Sequence, residues 1–271
     1  MNTLSTPLAT IVIRTKDEEE SLPRLLEILA RQTVADSLET IVVDSGSRDR
    51  TVEIARAGAR VIEISPAEFT FGRALNIGTA AGAGPLTIAL SAHAFPREDD
   101  WAERLLEVFA DERVSCACGA DADPSGRPFE GLLLQDIELA RLHPTYGYSN
   151  GAGAYRTELW KRRPFREDMP GTEDKEWAWH WLSEGWLVAF ARHLTVDHDH
   201  ARDPFPAVFE RARREWIGFG MYLDLPSYPM RTLIREWWAQ DPQHDWSRLR
   251  ARADPWRAAR LLGKYSAFRA T

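Results

Sequence analysis

Leu8-Ala9-Thr10-Ile11-Val12-Ile13, and a little further on Thr40-Ile41-Val42-Val43-Asp44-Ser45-Gly46-Ser47, decide the fold of this chain. Each is a short, unbroken apolar run rich in β-branched residues, as in a strand covered on both faces. Between them Leu22, Leu25, Leu26 and Leu29 recur at helical spacing. Ser47 is placed to cap a helix through Thr51, Val52 and Ile54. The alternation then continues. Arg60 to Ile64 reads as a strand, Ala74 to Ala81 as a helix, Leu86 to Leu90 as a strand, Trp101 to Phe109 as a helix and Val114 to Gly119 as a strand. Repeated β-α-β units predict an α/β fold, a Rossmann-like and mostly parallel sheet with helices on both faces. Ligands of such sheets bind beyond the carboxyl ends of the strands. Arg14-Thr15, Asp44 and Ser91 to His93 all stand there.

From Asp121 the pattern becomes irregular. Pro124-Ser125-Gly126-Arg127-Pro128 is a turn-rich loop, and Tyr146 to Ala154 is rich in glycine and small residues. Leu194-Thr195-Val196 reads as a strand leading into Asp197-His198-Asp199-His200. Alternation sends His198 and His200 to one face of that segment. Phe205 to Tyr222, Met230 to Ala239 and Trp256 to Phe268 read as Arg- and Trp-rich helices. The expected organisation is one domain over residues 1–200, with halves at about 1–120 and 121–200, and a helical C-terminal extension over 201–271.

The chain has 271 residues, with 34 Lys and Arg against 41 Asp and Glu, a formal charge of -7. That balance argues against general nucleic-acid binding, which rests on phosphate neutralisation. Cys116 and Cys118 lie too close in sequence for an ordinary structural disulfide, and a reduced cytoplasmic setting fits. Met1 to Thr10 lacks the pattern of a signal peptide, and no apolar run is long enough to span a bilayer. The expected location is therefore cytoplasmic, with residence at the inner membrane face as a variant. For that variant the arginines Arg211, Arg213 and Arg214 are the weak indication, and a solvated helix face is their plainer reading.

The sharpest local signal is Gly171-Thr172-Glu173-Asp174-Lys175-Glu176-Trp177, two adjacent carboxylates at the start of a tryptophan-rich helix. A carboxylate there is held rigidly, and the helix dipole favours its ionised form. Trp177 and Trp181 share a helical face with Asp174, which suits either a core stripe or a stacking surface for a sugar ring. Asp44-Ser45-Gly46-Ser47 joins a buried strand to a helix, and exposed backbone N–H groups there favour anions. Arg73 and Asn76, in Phe71-Gly72-Arg73-Ala74-Leu75-Asn76-Ile77-Gly78, offer a guanidinium fork and an amide at another helix start.

In this order the motifs resemble the inverting family 2 glycosyltransferases, and most nearly their bacterial rhamnosyltransferase-type members. The resemblance implies the A-type glycosyltransferase fold, in which the first half holds a nucleotide and the second an acceptor. It implies transfer of a hexosyl or deoxyhexosyl group from a nucleotide diphosphate sugar to a hydroxyl-bearing acceptor, which is a glycan, a lipid-linked sugar or a small molecule. It makes Asp174 the general base with Glu173 supporting it. It makes Arg14, Thr15, Glu18, Asp44 and Gly46 the nucleotide-binding positions. Ser149 to Ala154 corresponds to the small-residue strand that lets the donor sugar approach the backbone. The resemblance also implies a divalent metal, Mn²⁺ or Mg²⁺, beside the diphosphate.

Here the sequence departs from the family. The metal motif is usually an aspartate pair, and this chain has Ser91 and His93 in its place. Three readings stand open: His93 as a metal ligand with His198 or His200 as its partner, His93 binding the diphosphate directly, or an inactive site. A catalytically silent sugar-nucleotide-binding or scaffold module is the alternative function, with a nucleotidyltransferase ranked below it. The latter is disfavoured because Arg14-Thr15-Lys16-Asp17-Glu18 has no glycine. A homo-oligomer is compatible with all of these.

Overall fold

The computed structural model describes residues 6–198, 204–238 and 254–270. It divides the chain into two compact units. The first comprises Met1–Asp168 and Asp174–Asp199, the second Met169–Glu173 and His200–Thr271.

The first unit is built on an eight-stranded sheet of order β3-β2-β1-β4-β8-β6-β9-β7. The strands are β1 (Ala9–Thr15), β2 (Leu38–Asp44), β3 (Arg60–Glu63), β4 (Leu86–Ser91), β6 (Val114–Gly119), β7 (Leu132–Gln135), β8 (Ala152–Arg156) and β9 (Leu187–Ala191). β3, β2, β1 and β4 run parallel. β8 enters antiparallel between β4 and β6. Alternation along β1 sends Ile11 and Ile13 into one buried layer, with Leu22, Leu25 and Leu29 of α1 (Leu22–Ala30) and Trp101 and Leu105 of α4 (Trp101–Glu107). Val12 faces the opposite layer, with Leu75 of α3 (Phe71–Ala81) and Trp177 and Trp181 of α7 (Glu173–Ser183). Both sheet faces are therefore covered, which explains the unbroken apolar runs. α3 lies so close to β1 that a Cβ on Gly78 would sit 2.3 Å from Val12 Cγ1. A separate two-stranded ribbon pairs β5 (Ala94–Pro96) with β10 (Val196–His198), placing His198 opposite Ala94.

Three expectations are corrected. The last sheet strand is β9, over Leu187–Ala191; Arg192–Leu194 is a 3₁₀ turn and the strand before the histidines starts at Val196. β7 lies inside the segment that reads as irregular, where the run of leucines is short and partly exposed. Ser47 does not cap α2 (Thr51–Arg56), because its hydroxyl donates to Asp44; Asp49 Oδ1 accepts the Thr51 N–H instead, at 3.0 Å.

The second unit contains α8 (Phe205–Gly220), α9 (Met230–Trp238) and α10 (Pro255–Ala270). α10 packs on α8, where a Cβ on Gly263 would meet the Phe209 carbonyl at 2.4 Å. Gly218 of α8 lies equally tight on the segment 169–173, since a Cβ there would meet the Gly171 carbonyl at 2.2 Å. Among the described residues, no helix is long and apolar enough to cross a membrane.

Candidate active site

The carboxyl ends of β1, β2 and β4 form one edge of the sheet, and the segment leading into β8 meets it there. At the end of β2 the Asp44 carboxylate is buried and accepts four hydrogen bonds. Oδ1 takes the N–H groups of Gly46 and Ser47, both at 2.9 Å. Oδ2 takes the Thr15 hydroxyl at 3.0 Å and the Ser47 hydroxyl. Gly46 turns the chain at a φ of +84°, in the left-handed region that glycine enters without strain. A carboxylate has about four lone-pair positions, so Asp44 is fully engaged in shaping this turn.

The turn is laced to the loop after β1. Lys16 Nζ reaches the Ser45 carbonyl at 3.3 Å. The Asp17 N–H donates to Ser47 Oγ at 2.8 Å, and the Arg48 N–H donates to Asp17 Oδ1 at 2.8 Å. Asp17 itself has a φ of 53°, a strained value for a residue with a side chain. The Glu18 N–H donates to Thr51 Oγ1 at 2.7 Å, so the first two strand ends and the start of α2 form one hydrogen-bonded platform.

Glu18 turns its side chain toward the end of β4. Its Oε1 lies 2.9 Å from Nδ1 of His93, and its Oε2 accepts from the Ser21 hydroxyl. Burial works against ionisation of Glu18, but the bonds from His93 and Ser21 together outweigh it and its pKa falls below the ordinary value. The His93 ring lies 4.8 Å from the His198 ring, centroid to centroid, with 31° between the planes. The β5–β10 ribbon produces that proximity. Asp197, the next residue back, is bound by Arg97 at 2.7 Å and is turned away from the histidines' pairing. His200 lies outside the described residues.

Asp174 stands in the first turn of α7, half-buried. Its Oδ2 accepts the Asn150 N–H at 3.0 Å, and its Oδ1 accepts the Lys175 N–H at 2.8 Å. The other side of the same residue is held by Arg14, whose Nη2 donates to the Asn150 carbonyl at 3.0 Å. Arg14 also lies over the Phe71 ring, 5.5 Å from its centroid. Just before the helix, Thr172 has a φ of 62°. Glu173 is buried and falls with the second unit.

The structure thus gathers Arg14, Thr15, Asp44, Gly46 and Asp174 at one sheet edge, with Glu18 attached to His93 there. It does not gather Arg73 or Asn76. Arg73 pairs with Glu167 at 3.1 Å and Glu68 at 3.5 Å. Asn76 binds Trp160 Nε1, both backbone groups of Phe165 and the Glu167 carboxylate. Both residues latch α3 to the 165–167 loop. Of the two readings of Trp177 and Trp181, the core stripe is the one the structure shows. They are 0% and 2% exposed, within an aromatic cluster with Tyr155 and Phe165, and present no stacking face. Helical spacing alone places them beside Asp174 and does not distinguish the core side of α7 from the open side.

Asn150 is the residue that sequence reasoning passed over. It is 1% exposed, and neither carboxamide atom has a hydrogen-bond partner among the described residues. Its peptide group links Arg14 to Asp174. The available signal was a lone amide side chain inside a run of small residues.

The family's metal can be tested against the donor set. Two imidazoles, His93 and His198, face one another, and a carboxylate fixes Nδ1 of the first. Among the described residues no three His, Cys, Asp or Glu converge. Imidazole nitrogen suits borderline divalent ions best, is accepted by Mn²⁺ more readily than by Mg²⁺, and does not suit Mg²⁺, which prefers oxygen. A carboxylate behind a ligating imidazole is the usual support for such a ligand. His93 and His198 would therefore hold a divalent ion softer than Mg²⁺ through nitrogen.

The chain is 26% identical over 212 residues to the O-antigen chain rhamnosyltransferase RfbN of Salmonella typhimurium, covering 72% of this chain and 67% of that protein. Its fold is similar to that of the mannosyltransferase PcManGT of Pyrobaculum calidifontis, solved with GDP-Man and Mn²⁺. The TM-score is 0.68 at 16% identity, over 97% of this chain and 86% of the other. It is also similar to glucosyl-3-phosphoglycerate synthase of Mycobacterium tuberculosis, solved with Mn²⁺, UDP and glucosyl-3-phosphoglycerate. There the TM-score is 0.60 at 19% identity, over 81% of each chain. The sheet order, the site at its carboxyl edge and these likenesses agree on an A-type glycosyltransferase fold. The family model for glycosyl transferase family 2 matches residues 10–169, more than half of the chain, and the chain belongs to that family of glycosyltransferases.

Proposed function

We propose that the protein transfers a sugar, with inversion, from a nucleotide diphosphate sugar to an acceptor hydroxyl, and that Asp174 is the general base. The observation that carries this reading is the fixing of Asp174 at the sheet edge. Its carboxylate is tied by Asn150 to the strand end that also holds Arg14. In the proposed step the acceptor oxygen attacks the anomeric carbon as Asp174 takes its proton. The bond from that carbon to the diphosphate breaks on the opposite face, and the diphosphate leaves with the electron pair.

The nucleotide half, about 1–120, holds the donor through Arg14, Thr15, Asp44 and Gly46. Asp44 contacts the base or ribose by exchanging one hydroxyl donor for a donor on the ligand. Glu18 acts one step removed, by orienting His93. The acceptor half, about 121–200, supplies Asp174, and Glu173 supports it. His93 and His198 would hold a divalent ion, which supplies positive charge to the leaving diphosphate when bound. RfbN supports a deoxyhexose as the sugar transferred, and the mannosyltransferase and synthase named above support Mn²⁺ as the ion. The extension over 201–271 is a separate element.

The test is Asp174→Asn. Loss of a general base lowers kcat by roughly 10²- to 10⁴-fold. Calorimetric titration with UDP, GDP and dTDP, each with Mn²⁺, Mg²⁺ or EDTA, reads the donor side independently. Nucleotide affinity within a few-fold of wild type, with turnover lost, supports the reading. Full turnover in the variant rejects Asp174 as the base. No binding of any nucleotide by the wild-type protein moves the reading to a scaffold module.

A further inference from the structure

Asn150 commits its backbone to the site and leaves its side chain unused. Its N–H donates to Asp174 Oδ2 and its carbonyl accepts from Arg14 Nη2, both at 3.0 Å. One residue on, the Gly151 carbonyl takes the Ser91 N–H at 2.8 Å, which carries the pairing of β4 with β8 up to this point. Gly151 also lies beside His198, where a Cβ would stand 3.7 Å from Cε1 of the ring. Arg14, Asp174, Ser91 and His198 thus all adjoin the short segment that carries Asn150. The Asn150 carboxamide is buried, and neither Oδ1 nor Nδ2 has a hydrogen-bond partner. Among the described residues no other side chain leaves two buried polar atoms unpaired.

A buried amide without partners destabilises a fold, and an apolar side chain of the same shape would not. Other buried amides of this unit are satisfied. Gln32 donates to the Ile28 and Glu98 carbonyls and accepts the Ala102 N–H, and Asn76 uses both atoms on Trp160, Phe165 and Glu167. The exception falls between the base and the groups that face the diphosphate, where the proposed reaction puts the donor sugar. A carboxamide offers an acceptor and two donors. That set matches two neighbouring hydroxyls of a sugar ring, one donating and one accepting. Unheld by hydrogen bonds, the side chain can change rotamer as a sugar enters, as contact residues commonly do. We propose that the Asn150 carboxamide binds two adjacent hydroxyls of the sugar being transferred and so selects the donor. A site that pairs buried polar groups with hydroxyls rejects a sugar lacking them, because those groups are then left unpaired. This inference deepens the transferase reading and rests on it.

Calorimetric titration of the full-length protein with UDP, GDP and dTDP, and with UDP-glucose, GDP-mannose and dTDP-rhamnose, gives the factor by which each sugar changes affinity for its own nucleotide. Asn150→Leu keeps the shape of the side chain and removes the partners of the hydroxyls. Each hydrogen bond lost costs roughly fivefold in affinity. The sugar nucleotide that wild type prefers should therefore bind roughly 25-fold more weakly, while its bare nucleotide binds as before. The urea midpoint of Asn150→Leu should stand at or above that of wild type, since an unpaired amide has been removed. Asn150→Ala should lose the same sugar contribution, with a lower midpoint from the cavity it leaves. A sugar factor unchanged in both variants overturns the inference and leaves Asp174 and the transferase reading standing. If the midpoint of Asn150→Leu also falls, the carboxamide is a structural group served by a buried water. Failure of wild type to bind any of the six compounds overturns the transferase reading and this inference with it.

Discussion

Asp44 offers a test in which the two obvious substitutions should behave differently. Its carboxylate accepts two backbone N–H groups on Oδ1 and two hydroxyls on Oδ2. In Asp44→Ala the N–H groups of Gly46 and Ser47 lose their acceptor. Leaving a buried donor unsatisfied costs about 1–3 kcal/mol. Both groups are only partly buried, so the low half of that range applies to each, about 2–4 kcal/mol together. The hydroxyls of Thr15 and Ser47 can rotate to other acceptors and add little. In Asp44→Asn the amide oxygen keeps the two backbone donors. Its NH₂ meets two hydroxyls, which accept as readily as they donate. Only the charge-assisted part of the bonding is lost, about 1–2 kcal/mol. Urea denaturation should therefore rank wild type above Asn and Asn above Ala, at an unchanged slope. Nucleotide titration adds the functional reading: Asn retains affinity within a few-fold and Ala loses it with the turn. Equal stability of the two variants would refute the four-bond account. A stable Asn variant that binds nucleotide as poorly as Ala would show that the charge acts on the ligand rather than on the turn.

Three further outcomes follow from packing and burial. Cys116 and Cys118 are fully buried, and burial pushes the Cys118 thiol up to about 12 and Cys116 well above its usual range. Thiolate forms only as pH approaches those values, so a disulfide reagent should label neither thiol of the native protein at neutral or mildly alkaline pH, and both once it is denatured. Trp177→Ala should destabilise by about 3–5 kcal/mol, because the ring is wholly buried and its Nε1 donates to the Arg163 carbonyl at 2.6 Å; thermal unfolding reads the loss. Gly78→Ala forces a methyl onto Val12 and should cost about 1–2 kcal/mol net, overpacking of about 1–3 offset by roughly 1 of helix propensity. Val12→Ala should recover part of it in a double-mutant cycle.

The nucleotide half was legible because its strands are buried on both faces and its helices on one. Those two conditions leave periodic patterns that survive in the sequence. The place of Asp44, Arg14 and Thr15 at the sheet edge was legible for a related reason, since all three stand at the ends of strands of the parallel part of the sheet. The acceptor half was harder to read. β7 is short and β9 pairs with strands far away in sequence, so neither has a local partner to announce it. Glu18 enters the sequence reading only as a nucleotide-binding position implied by the resemblance, and only the folded chain brings it to His93. The tryptophans of α7 show the limit of periodicity. It gives the face they share, and tertiary packing decides that this face is core.

The departure at Ser91 and His93 can be weighed on physical grounds. Loss of an aspartate motif by drift would leave the replacement side chain with no particular support. His93 instead has its Nδ1 against a carboxylate whose other oxygen is occupied by Ser21, and a second imidazole faces it from a ribbon built by different segments. Glu18 fixes the ring by one nitrogen, which sets the direction of the other. An edge made this way recognises a different partner from an aspartate pair. Under the proposed function it would hold a borderline ion through nitrogen, or a diphosphate through N–H, and would have little use for Mg²⁺. Nucleotide affinity that rises with Mn²⁺ and not with Mg²⁺ would assign His93 and His198 to the ion. Affinity unchanged in EDTA but lost in His93→Ala would assign His93 to the diphosphate. Affinity indifferent to both would leave the Glu18–His93 pair a structural tie between β1 and β4, and the inactive-site reading would then account for Ser91.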